Sequence, residues 1–425
     1  MSEQRHLTGE VAVAAARLFD GVLRRTHLSA PHDVAGVVAG ELREALGAGE
    51  VQLWLAGYEQ AGLVPVPGPG TVRREVQPVD GSMAGRAFST AGVVGAAAEP
   101  GPDGGARRRL WVPLLDGTDR LGVLELTLPV AAEGARVEQD VLSVLERCAH
   151  LVAMVVASKD MYGDVFARLQ RAEPLTVGSE MVRAVLPPQT YATDDLVVSG
   201  ALEPAYDNGG DAFDYADDEE CLHLAVFDGM GHGLAASAVT TLAVAAYRRA
   251  RRTGLDLPAT YAEVDAAVAG QFGGDRHVTA VLARLDRATG ALSWVSAGHP
   301  PPLLLRGTRV VKTLRARPSF PLGWSFGGDV SVAEEVLQSG DAVLLYTDGL
   351  VEARREDGEL LGVEGLSDFL EQQAAAGQPA AETLRRLRRT ILSRPGVSLR
   401  DDATALLVEW RRGGEHALVP QTVEG

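Results

Sequence analysis

The sequence predicts an α+β chain in two modules: an antiparallel sheet with helices, then two stacked antiparallel sheets flanked by helices, with a long helix between them. Three observations predict it. Strand-length runs bounded by Gly, Pro and Asp crowd residues 51–128. A 4-3 apolar spacing then runs from residue 137 to residue 169. Beyond residue 195, strand runs that are apolar at nearly every position alternate with helical segments, as in sheets covered on both faces.

Taken in order, residues 9–47 carry apolar side chains at helical spacing, broken by Pro31, which suits the first turn of a second helix. Strands are expected at 51–58, 71–76, 93–97, 109–115 and 121–128, with a short helix at 82–90, giving a sheet with helices packed on one side. Val137, Val141, Val144, Cys148, Leu151, Val155, Ser158, Tyr162, Val165 and Leu169 then predict one helix of about 35 residues. Its stripe needs a partner: either the first module or, in a homodimeric coiled coil through residues 137–169, a second copy. Heptad spacing leaves both open. Pro174 ends the helix, a short helical piece follows at 179–186, and Pro187-Pro188 mark the next boundary. Strands are expected at 196–202, 221–227, 278–285, 292–296, 302–306, 342–347 and 403–410, and helices at 234–252, 259–271, 365–375 and 380–392. The domains read as 1–135, a helical linker at 136–190, 191–412, and a frayed tail at 413–425.

Length and composition narrow the function. A chain of 425 residues holds two or three domains with cores of their own. With 46% hydrophobic and 23% charged residues it fits neither a largely disordered chain nor a membrane protein. The net charge of −17 disfavours nucleic acid. All but two of the 40 basic residues are arginine, and the runs Arg248, Arg249, Arg251, Arg252 and Arg385, Arg386, Arg388, Arg389 read as solvated helix faces. Cys148 and Cys221 fall in different modules without a CxxC pair, so no disulfide framework or zinc motif is expected. The polar start lacks a signal h-region and no apolar run reaches membrane-spanning length, so the expected location is the cytoplasm, with no membrane partner.

The chemistry rests on aspartates. Asp228 follows a strand, Asp348 follows another, Asp401 and Asp402 precede a third, and Asp211 sits in a Gly-rich turn at 209–214. Antiparallel pairing brings such strand ends to one sheet edge. Gathered there, the carboxylates repel unless a cation neutralises them, and hard oxygen donors without Cys or a His pair favour Mg²⁺ or Mn²⁺. A paired-metal site can ready a hydroxide and clamp a phosphoryl group. Asp228-Gly229-Met230-Gly231-His232-Gly233 leads straight into a helix, with Gly229 placed to let its carbonyl approach a metal. His232 and His299 read as structural hydrogen bonders, and Asp214, Asp286 and Asp341 as turn or supporting groups.

These residues resemble a known family, the bacterial protein phosphatase 2C-like (PPM) serine/threonine phosphatases of the sporulation stage II E type. The matching strings are GGDAFD at 209–214, FDGMGHGLAAS at 227–237, SAGHPPPLLLR at 296–306, PLG at 321–323, LLYTDGLVEAR at 344–354 and LRDDAT at 399–404. The first half resembles a GAF sensor domain through MAGRAF at 83–88, WVPLL at 111–115 and LGVLEL at 121–126. The resemblance implies two Mn²⁺ or Mg²⁺ ions, with Asp228 bridging them, Gly229 lending its carbonyl, Asp211 on one ion, and Asp348 and Asp401 on the other. It implies direct attack of activated water on phosphoserine or phosphothreonine, regulated by the GAF-like half. The implied substrate is a phosphorylated anti-sigma factor antagonist. Met230 stands where the eukaryotic branch has His, which leaves the general acid and the phosphate-gripping Arg without matched positions. The rival reading is a catalytically silent scaffold that docks a signalling partner.

Overall fold

The computed structural model describes residues 9–68, 74–100, 105–130, 135–203, 209–354, 358–392 and 401–411. The chain divides between Ala172 and Glu173 into two compact units. The first carries a seven-stranded antiparallel sheet centred on Val51–Ala56 and the long hairpin Ala106–Asp116 and Asp119–Pro129. Alternation along Val51–Ala56 sorts its side chains. Leu53 and Leu55 join a core with helices Gly9–His27, Val34–Leu46 and Ala135–Asp160, whereas Trp54 and Ala56 meet the short helix Met83–Thr90 on the other face. Helices therefore cover both faces, because both carry large apolar side chains. The expected strand 71–76 begins on residues outside the described set, and pairing is seen at Gln77–Pro78.

The long helix stops at Asp160, and a separate helix, Val165–Gln170, follows. Gly163 lies in the break, and the turn lets Phe166 return to the core, so the continuous 35-residue helix is replaced by two. Val144, Cys148 and Val152 are buried inside this unit, with Val141, Leu151, Val155, Val165 and Leu169 packed around them, while Tyr162 is exposed. A coiled-coil seam between two copies would need the same side chains twice. The stretch Glu138–Asp160 is long and apolar enough to cross a membrane, but this inner face is already committed to the core.

The second unit is a sandwich. One sheet runs, in spatial order, Asp211–Asp217, Cys221–Gly229, Val278–Asp286, Ala291–Ala297 and Ala333–Val336. The other runs Arg309–Thr313, Leu303–Arg306, Asp341–Tyr346, Ala403–Trp410, Leu196–Glu203 and Thr190–Ala192, and all pairings are antiparallel. Phe213, Leu224, Val226 and Val281 meet Val198, Leu345, Leu406 and Val408 between the layers. Helices Leu234–Arg252 and Leu257–Phe272 cover the outer face of the first sheet through Val239, Ala243 and Val264. Helices Gly362–Ala375 and Ala380–Leu387 pack on the second. This is the α+β arrangement expected from the sequence.

Two sequence expectations need correction. Arg248 and Arg251 are not solvated: both ion-pair with Asp214, which is fully buried in mid-strand and not in a turn. Arg385 and Arg388 are likewise buried, against Glu382 and Glu203. A carboxylate beneath a helix needs a cation within reach, and arginine on the inner face supplies it.

Candidate metal centre

Period-2 alternation carries the sandwich core out to one edge and there changes its chemistry. In the first sheet, Phe213 and Tyr215 point inward, so Asp211 does too; Leu224 and Val226 point inward, so Asp228 does too. The register sets Asp211 opposite Asp228, and Asp228 opposite Thr279. In the second sheet the inward row Val343 and Leu345 continues to Thr347, and Leu406 and Val408 lead back through Thr404 to Asp402. Apolar filling thus gives way to carboxylates and hydroxyls where the strands end. Asp211 opens the strand Asp211–Asp217 and is not part of a turn, which is what brings it into register with Asp228.

Hydrogen bonds tie the two layers together at this edge. Asp402 Oδ2 accepts from the amides of Gly209, at 2.5 Å, and Asp211, at 3.4 Å. Asp211 Oδ2 accepts from Thr347 Oγ1 at 2.6 Å, and Thr347 Oγ1 in turn accepts from the Thr404 amide at 2.8 Å. Buried His299 bridges Thr279 Oγ1, 2.7 Å from its Nδ1, and the Tyr346 carbonyl, 3.0 Å from its Nε2. Burial pushes its imidazole down to about 4, so it is neutral at pH 7. Only a protonated Nε2 can bond a carbonyl, so Nδ1 accepts the Thr279 proton. That hydroxyl has one proton, and its 3.5 Å approach to Asp228 Oδ2 is the weaker contact.

Gly229 must be glycine here: a Cβ would lie 2.2 Å from Thr240 Oγ1 and 2.9 Å from the Ala236 carbonyl. Gly231 adopts a left-handed φ of 89°, and the space beside it holds Arg276, whose Nη1 donates to the Met230 carbonyl at 3.3 Å. His232 is exposed at the rim, its Cα 3.2 Å from where a Cβ on Gly209 would stand.

The electrostatics are those of crowded, partly buried carboxylates. Burial, then the charges of Asp348, Asp401 and Asp402, push Asp228 up to about 7. Asp211 is raised well above the carboxylate range by burial and by Asp228 and Asp402. Asp402 rises to about 7 through burial and Asp401, against the opposing pull of the Gly209 and Asp211 amides. Asp348 is raised by burial, Glu352 and Asp401. Among the described residues, no ion pair joins Asp211, Asp228, Asp348, Asp401 or Asp402 to a Lys or Arg. Asp228 is the member shared by a buried subset, Asp211 and Asp402, and a more open one, Asp348 and Asp401. Oxygen donors in two groups with one common carboxylate suit a pair of hard dications.

The four aspartates named from the sequence are therefore brought together. Asp402 is the residue that reasoning missed. Asp401 is exposed and accepts the Asp402 amide at 2.9 Å, whereas Asp402 is buried and faces inward. The signal was available: in Ala403–Trp410 the even-numbered positions face the core, and 402 continues that row.

Comparison with known proteins places this geometry. Residues 218–411 match the family model for Stage II sporulation protein E (SpoIIE). Phosphoserine phosphatase RsbU of Bacillus subtilis is 24% identical over 222 residues, 52% of this chain and 64% of the relative. Phosphoserine phosphatase RsbP of the same organism is 26% identical over 169 residues, 39% of this chain and 42% of that one. The chain thus spans less than two thirds of the length of either. Among solved structures, the SiaA PP2C domain of Pseudomonas aeruginosa is 24% identical, with a TM-score of 0.45, covering 55% of this chain and 94% of that one. The C-terminal half of the chain, with its two-layered sandwich and acidic edge, is thus similar over residues 218–411 to Stage II sporulation protein E and to phosphoserine phosphatases.

Proposed function

We propose that this chain is a metal-dependent protein serine/threonine phosphatase acting on a phosphorylated regulatory protein, with an anti-sigma factor antagonist as the substrate class. The observation that carries the reading is the convergence of five aspartates on one sandwich edge with, among the described residues, no Lys or Arg ion-paired to them. Two Mn²⁺ or Mg²⁺ ions would be held by Asp211, Asp228, Asp348, Asp401 and Asp402, with the Gly229 carbonyl as a further donor. Such a pair supplies Lewis-acid polarisation of the phosphoryl oxygens and water of lowered pKa.

The chain's own residues do the rest. Thr347 and the amides of Gly209 and Asp211 fix the inner carboxylates by accepted hydrogen bonds, so the donor set is formed before substrate arrives. Neutral His299 holds Thr279 and the end of strand Asp341–Tyr346 in register, its one N–H committed to the Tyr346 carbonyl, so it does not act as a general acid at pH 7. Arg276, poised on the Met230 carbonyl at the rim, is the cation placed to grip the phosphate of an incoming phosphoserine or phosphothreonine.

The N-terminal unit, expected as a GAF-like sensor over residues 1–135, regulates this centre in the proposed scheme, in a cytoplasmic protein. Relatives named phosphoserine phosphatases support the substrate side of this reading. The test is phosphate release from a phosphoserine protein with and without Mn²⁺, in the parent chain and in Asp228→Ala. Metal-dependent release that survives the substitution sinks the assignment; no release from any phosphoprotein favours the silent scaffold.

A further inference from the structure

At the opposite end of the strand that carries Asp228, about 23 Å away along seven residues, three different donor types meet. Cys221 Sγ lies 3.4 Å from His223 Nε2, and His223 Nε2 lies 3.0 Å from Asp218 Oδ2. All three atoms fall within 4.8 Å of one another. We propose that Asp218, Cys221 and His223 form a second metal site, for Zn²⁺ or a similarly borderline-soft dication, separate from the aspartate centre.

The hairpin makes the arrangement. Strands Asp211–Asp217 and Cys221–Gly229 are joined by a tight turn in which the Asp218 amide donates to the Cys221 carbonyl at 2.9 Å. Cys221 and His223 are two apart on one strand and so share a face, and Asp218 stands across the turn from Cys221. Three donors within six residues of a fixed turn need little chain ordering to bind an ion. Cys221 and His223 are buried while Asp218 is exposed, which leaves the carboxylate side open for entry. Around a tetrahedral Zn²⁺ with ordinary Zn–S and Zn–N lengths, ligand atoms stand about 3.3–3.6 Å apart. The Sγ–Nε2 spacing of 3.4 Å falls in that range, and the Nε2–Oδ2 spacing of 3.0 Å is a few tenths of an ångström shorter.

Donor chemistry separates the two sites. Sulfur and imidazole select zinc-like ions, whereas the all-oxygen aspartate centre suits Mg²⁺ and Mn²⁺. Arg284 donates to Cys221 Sγ at 3.4 Å, so a cation already stands on the sulfur. On binding, the thiol proton leaves to solvent, Arg284 moves off Sγ, and the thiolate and the Asp218 carboxylate together neutralise the dication.

The test uses the full chain in excess Mg²⁺, which would compete for the all-oxygen aspartate centre, titrated with Co²⁺ as a spectroscopic stand-in for Zn²⁺. The expected result is one equivalent bound with a sulfur-to-cobalt charge-transfer band, displaced by Zn²⁺. Cys221→Ser abolishes the band. Asp218→Asn, an exposed change that the fold tolerates, keeps the band and weakens Co²⁺ by roughly tenfold or more, since losing a ligand costs at least what losing an outer-shell partner does. No band in the parent chain, or an unchanged band in Cys221→Ser, overturns the proposal. Because these readouts need no turnover, the result stands apart from whether the chain is a phosphatase.

Discussion

Each unit contains a cluster of carboxylates, and the two are built in opposite ways. In the first, Glu125 is buried yet accepts from Trp54 Nε1 at 2.9 Å, from Arg74 Nη1 at 3.1 Å and from Arg109. Glu50 shares the same two arginines, each at 2.9 Å. The hydrogen bond from Arg109 leads the effects that hold Glu50 below the usual carboxylate range. In the second, burial and neighbouring aspartates raise Asp211, Asp228, Asp348 and Asp402 together. One cluster carries its counter-ions in the sequence; the other, among the described residues, has none. The number of acids is a poor guide to a metal site, and the absence of a built-in cation is a better one.

The comparison can be broken at several points, beginning with the most severe. Asp228→Ala removes the carboxylate common to both subsets and should lower Mn²⁺-dependent phosphate release by at least about a thousandfold. Circular dichroism should show the sandwich intact, since only repulsion is lost. Glu125→Ala should do the reverse: destabilise the first unit by roughly 2 kcal/mol by stranding two arginines, discounted for their partial exposure. The second unit should melt as before, and calorimetry separates the two transitions.

A subtler distinction lies in pH. For Asp228 and Asp402 the folded pKa of about 7 lies above the unfolded value, so the folded state binds more protons between roughly pH 4 and 7. In chelated protein this contribution costs nothing below pH 4 and is fully destabilising above 7, so the melting temperature of the second unit should fall as pH rises through that window. Mn²⁺ should abolish the fall; an equal fall with and without metal would argue that the cluster binds none. The smallest expected effect is at the rim, where Arg276→Ala should raise KM for a phosphoprotein by roughly tenfold with kcat little changed.

Much of this was legible in the sequence because strand patterning and the aspartate positions are local signals. The strand ends at Asp228 and Asp348 and the helix from Leu234 are stated by apolar runs and glycine punctuation. Asp211 and Asp214 were harder. The glycines before them suggest a turn, and only pairing with Cys221–Gly229 makes the segment a strand whose alternate residues serve opposite needs. Asp402 was hidden by its neighbour, since side-chain facing depends on register. The break after Asp160 was masked by a heptad pattern that continues through Gly163 although the backbone does not. The role of Arg248 and Arg251 depends on a carboxylate some 35 residues away, which no local pattern reveals.

The division of the acidic edge between two sheets has a mechanical consequence. Asp211 and Asp228 ride on one layer, Asp348 and Asp402 on the other, and the Gly209 amide clasps Asp402 across the gap. A shear of the layers by about 1 Å would misplace half of the donors at once, a displacement sufficient to cost on the order of a hundredfold in rate. Whatever stiffens or loosens the sliding of one sheet over the other therefore acts as a throttle on the chemistry without touching a single ligand.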